Sequence, residues 1–129
     1  MRGLVVFLGI VLSVAACASS GRTGAATPRS NPDVITAEQI AATHVQNAYD
    51  AVSQIRPRFL LTQGGTPRVH AVQVIVDDVP RGGVSVLRSI NASDIVEIRY
   101  LPAAEATMRW GTGYTGGAIV VKTLAGGRT

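Results

Sequence analysis

Ile95-Val96-Glu97-Ile98-Arg99-Tyr100-Leu101 is followed by Pro102, by Ala103-Ala104-Glu105-Ala106-Thr107-Met108-Arg109-Trp110 and, after a glycine-rich stretch, by Ala118-Ile119-Val120-Val121-Lys122-Thr123. The first run alternates with period two, the mark of a half-buried strand, and Pro102 closes it. Strong helix formers fill the second run, which predicts a short helix ended by Gly111. The third is apolar and reads as a closing strand. A strand, a helix and a strand in this order point to a small mixed domain whose helices pack on a sheet.

Upstream, Val69, Ala71, Gln73, Ile75 and Val79 alternate with His70, Val72, Val74 and Val76, so both faces are apolar and an internal strand is expected. It ends at Asp77-Asp78, and Pro80-Arg81-Gly82-Gly83 reads as a turn. Val84 to Ile90 is predicted to make one or two helical turns, and Ser93 or Asp94 to open another. Gln63-Gly64-Gly65-Thr66-Pro67 is a loop by composition, after the short apolar piece Phe59-Leu60-Leu61.

Further upstream, Val34-Ile35 is a short strand and Thr36 an N-cap with Gln39 three residues on, the pattern of a capping box. Ile40, Ala41, Val45, Ala48, Val52 and Ile55 recur at helical spacing, which predicts one helix from Ala37 to about Ile55, stopped by Pro57. The expectation is a small α/β or α+β domain, with α+β favoured, over residues 33–124, with a three- to four-stranded mixed sheet, two or three helices, and a tail at 125–129. No internal repeat is evident.

The first residues read as a secretory signal. Met1-Arg2 gives a positive start, Leu4 to Val14 is almost unbroken apolar sequence, and Ala15-Ala16-Cys17 supplies small residues followed by the chain's one cysteine. That run covers roughly 16 Å as a helix, half of a ~30 Å hydrocarbon layer, so cleavage is favoured over a permanent span. Val14-Ala15-Ala16-Cys17 resembles a bacterial lipobox, which makes residues 1–16 the signal and Cys17 the lipid-bearing first residue; ordinary cleavage around Ala16-Cys17-Ala18 is the competing reading. Ala18-Ser19 after the cysteine, in place of aspartate, favours the outer membrane. Residues 17–32, rich in Ser, Gly, Ala, Thr and Pro, are expected to form a flexible tether.

One cysteine and two histidines in 129 residues exclude an intramolecular disulfide framework and a zinc site built from several Cys and His ligands. The net charge of +4 comes from arginines scattered along the chain, which is not the pattern of a nucleic-acid tract. Gly111-Thr112-Gly113-Tyr114-Thr115-Gly116 is a literal G-x-G-x-x-G, but a dinucleotide site needs a strand before the glycines and a helix after them, and here that order is reversed. Asp77 and Asp78 are adjacent and point apart in an extended chain. His44, on the expected long helix, and His70 have no second ligand or nucleophile at a supporting spacing. Ser85, Ser89 and Ser93 lack a nucleophile elbow. Trp110 reads as a core anchor, and Arg81, Arg88 and Arg109 as a solvated rim able to face a partner. No enzyme, cofactor or metal site is expected.

Four segments of the second half carry a resemblance. Val74-Ile75-Val76-Asp77-Asp78-Val79-Pro80, Leu87-Arg88-Ser89-Ile90-Asn91-Ala92-Ser93-Asp94-Ile95-Val96-Glu97-Ile98, Ala103 to Gly111, and Gly116-Gly117-Ala118-Ile119-Val120-Val121-Lys122-Thr123 resemble, in order and spacing, the plug domain of TonB-dependent outer-membrane receptors. Val34 to Ile40 is similar to the start of that domain. Asp78 stands where the family turn usually has glycine, and Pro102-Ala103 replaces Gly-Ala or Gly-Pro. The barrel strands that follow the plug in receptors are not expected here, nor is a TonB coupling box in the tether.

The resemblance implies a free-standing, plug-like lipoprotein at the outer membrane or in the periplasm. It would act as a non-enzymatic interaction module associated with envelope transport, with an outer-membrane barrel or transport component as partner and no nucleic acid. The alternative is a lipoprotein that binds a small ligand, a siderophore or glycan. For either, the candidate partner or ligand loops are Arg81-Gly82-Gly83 and Thr112-Gly113-Tyr114.

Overall fold

A computed structural model describes residues 31–61 and 71–128. The signal, Cys17, all but the end of the tether, His70 and the Gln63–Pro67 loop lie outside the described residues.

Five strands form one mixed sheet: β1 (Val34–Thr36), β2 (Gln73–Val76), β3 (Val79–Gly83), β4 (Ile95–Leu101) and β5 (Ala118–Thr123), in the order β1-β4-β5-β2-β3. β2 and β5 run parallel, and the other neighbours are antiparallel. The helices are α1 (Ala37–Thr43), α2 (Ala48–Ile55) and α3 (Ala103–Trp110), with short 3₁₀ turns at Pro57–Leu60, Val84–Ser89, Ala92–Asp94 and Gly126–Arg128. The protein is therefore an α+β fold.

Alternation along the strands gives the sheet two apolar faces. Ile35, Val74, Ile98, Tyr100, Ile119 and Val121 meet Ile40 of α1, Ala48, Ala51 and Val52 of α2, and Phe59, Leu87 and Ala92 of the 3₁₀ turns in the main core. Ile75, Leu101, Ala118 and Val120 point the other way and meet α3 through Ala106, with Trp110 and Tyr114 partly buried against them. Phe59 stacks on Tyr100 at 5.3 Å between ring centroids.

The sheet has more strands than the three or four expected from the sequence. The additional strand is β3, whose Pro80-Arg81-Gly82-Gly83 reads as a turn from composition alone. Pro80 is tolerated because β3 is an edge strand, where a missing N–H breaks no interior ladder. The register with β2 slips between Pro80 and Gly82, so Arg81 is the extra residue of a bulge. The turn that joins β2 to β3 is Asp77-Asp78 itself, both with positive φ (49° and 65°), the backbone that a two-residue type I′ hairpin demands.

The expected long helix is two helices. α1 starts as predicted, with Thr36 and Gln39 forming a complete capping box, but it ends at His44, which takes the left-handed conformation (φ 53°). Asn47 then caps α2 by accepting from the Asp50 N–H at 2.9 Å. The apolar period stays in phase across the break because both helices pack on the same core.

Candidate functional site

The β2–β3 turn is tied to the end of β5. The Asp77 carboxylate accepts from the Thr123 backbone N–H at 2.8 Å and from its hydroxyl at 2.6 Å, and the Asp77 N–H donates to the Val121 carbonyl at 3.0 Å. Asp78, mostly exposed, pairs with Arg109 at the end of α3 at 3.3 Å. Beside these groups is a cavity of about 470 Å³, lined by Asp77, Asp78, Val96, Lys122 and Thr123.

At the opposite end of the sheet lie the loops singled out from the sequence. Gly83 pairs with Gln73, and Gln73 is paired on its other side with Ala118. Its N–H donates to the Gly117 carbonyl at 3.2 Å. The stretch Thr112-Gly113-Tyr114 therefore returns to the sheet one strand away from Gly82-Gly83, while Arg81 is exposed on the edge bulge. Tyr114 is half-buried against Trp110, ring centroids 5.8 Å apart, and the Arg109 guanidinium lies over Trp110 at 4.9 Å.

Arg81, Arg88 and Arg109 do not form one rim. Arg88 follows Leu87 on the side of the main core and covers the Tyr49 ring at 4.2 Å. Arg109 is on the α3 side, and Arg81 is on the edge between them. His44 is an exposed helix cap rather than a residue of a helix face. The glycine-rich motif has a helix before it and a strand after it.

Gly117 is where the second loop is fixed. Its φ is +86°, and a Cβ there would lie 2.6 Å from the Tyr100 hydroxyl and 2.8 Å from the Leu101 carbonyl, so this close approach requires glycine. The Tyr100 hydroxyl donates to the Gly116 carbonyl at 3.4 Å. Burial pushes the Tyr100 phenol above its ordinary pKa and the Asp33 charge adds to the rise, while the Arg58 guanidinium works against it.

Arg56 and Arg58, two of the arginines scattered along the chain, mark the junction with the tether. Arg56 donates to the Pro32 carbonyl at 3.2 Å, and Arg58 donates to the same carbonyl and pairs with Asp33 at 2.8 Å. Their positions on either side of Pro57 give no local signal, since the partners are more than twenty residues upstream.

Among the described residues there is no group of three or more His, Cys, Asp or Glu able to hold a metal ion, and no helix is long and apolar enough to cross a membrane. No protein-family model matches the chain, and no curated protein matches it.

Proposed function

We propose that this domain is a plug-like, non-enzymatic interaction module of the outer membrane, held there by a lipid on Cys17 and working beside a barrel or transport component. The observation that carries the reading is the Asp77–Thr123 pairing. The two residues belong to the first and last of the four segments that carry the plug resemblance, and their side chains close the β2–β3 turn onto β5. The intervening segments form β4 and α3 of the same unit.

The sheet edges favour contact through faces and loops over strand addition. Pro80 and the Arg81 bulge blunt β3, and β1 is three residues long. Exposed apolar side chains stand on α3, at Met108, and at the end of the sheet that carries the Asp77–Asp78 turn, at Val79, Val96 and Leu124.

In-cell crosslinking with membrane fractionation, comparing the wild type with Cys17→Ser, tests the proposal. A recurrent barrel or transport protein recovered from outer-membrane fractions with the wild type, and diminished with Cys17→Ser, is the expected result. Recovery of lipid alone would reject the adaptor role and turn attention to ligand capture by the Arg81–Gly83 and Thr112–Tyr114 loops.

A further inference from the structure

The chain from Pro102 to Gly117 leaves the sheet and returns to it at adjacent points, because Leu101 and Ala118 are cross-strand partners. Everything between them, α3 and the glycine-rich loop, is one excursion over the second face of the sheet. It is lightly held. Pro102 provides no side-chain cap for α3, Ala106 is its one buried residue, and Met108 is 88% exposed. Beyond Ala106, its apolar hold on the sheet consists of Trp110 and Tyr114, both half-buried.

The two ends of the excursion are, by contrast, fixed. Leu101 is in the β4–β5 ladder, and Gly117 is gripped by the Gln73 N–H and the closely approaching Tyr100 hydroxyl. Across the face, Arg109 reaches Asp78, a residue held at a positive φ in the hairpin turn. Segments with few buried apolar groups, anchored at both ends to a stable ladder, are the ones that open locally without global unfolding.

We propose that Pro102–Thr115 is a flap that opens as a unit between the fixed Leu101 and Gly116–Gly117 ends, latched by the Asp78–Arg109 ion pair. Its opening uncovers the apolar strip Ile75, Leu101 and Val120 while the main core stays folded. This rests on the geometry of the excursion and not on the plug reading.

Hydrogen exchange of the full chain, followed residue by residue, tests it. The Ala106 and Gly111 amides, which donate to Pro102 and Thr107 carbonyls, are expected to exchange at least about tenfold faster than the hydrogen-bonded amides of the β4–β5 ladder. Arg109→Ala is expected to speed the flap amides a further two- to fivefold, roughly the share of an exposed ion pair, and leave the ladder unchanged. Added salt should speed the flap in the wild type and not in the variant. Asp78→Asn removes the charge from the other side and should reproduce the effect. Flap amides that exchange in step with the ladder, or that respond to neither variant nor salt, overturn the proposal.

Discussion

The Asp77 carboxylate receives both the backbone N–H and the hydroxyl of Thr123, at 2.8 and 2.6 Å, across 46 positions of sequence. A charged acceptor with two donors is a stronger tie than a neutral pair, and here it also holds the hairpin turn in its left-handed backbone.

Removing that carboxylate is expected to cost about 2 kcal/mol, because Asp77→Ala loses both bonds and puts at positive φ a residue that tolerates it less well than aspartate. For a domain of this size the loss corresponds to a fall in melting temperature of order 10 °C. Asp77→Asn keeps one acceptor and should fall between the two. Thermal denaturation of the three proteins checks the order.

Gly117→Ala should be more damaging, about 3 kcal/mol or more, since its Cβ meets the Tyr100 hydroxyl and the Leu101 carbonyl at once. Tyr100→Phe in the same chain removes one of the two clashes. Partial recovery of stability in the double variant, relative to Gly117→Ala, is the expected signature of that contact.

Tyr100 also sets an alkaline limit. Its phenol is raised by burial first and by Asp33 second, so the neutral form is favoured in the folded state. The stabilisation is fully present below the unfolded value near 10, and is lost as pH rises from there through the folded value. Melting temperature should therefore decline above about pH 10, and Tyr100→Phe should flatten the part of that decline that belongs to this residue.

Phe59→Ala removes a fully buried ring stacked on Tyr100 and is expected to cost about 3–5 kcal/mol. Chemical denaturation would register the loss as a lower midpoint.

The sequence was most legible where a local signal and the tertiary context agree. The capping box at Thr36 and Gln39, the period-two run of β4 and the helix of α3 all stand within a residue or two of their expected places. Two features were hidden. The break between α1 and α2 leaves the apolar spacing intact, and its signal is the polar cap Asn47 with Asp50 three residues on. β3 is written in turn residues because it is a bulged edge, so its proline and glycines argue against a strand until its position in the sheet is known. Of the candidate loops, the sequence marked both glycine stretches, but their nearness comes from the parallel pairing of β2 with β5, which no local pattern encodes.

The most direct measurement is site-specific photocrosslinking in intact envelopes from Met108, exposed on α3, and from Leu124, exposed beyond β5. An interaction module at the outer membrane should give, from at least one of these positions, one recurrent envelope protein whose yield drops in Cys17→Ser. Crosslinks to lipid alone, or the same diffuse set of proteins with and without Cys17, would contradict the account.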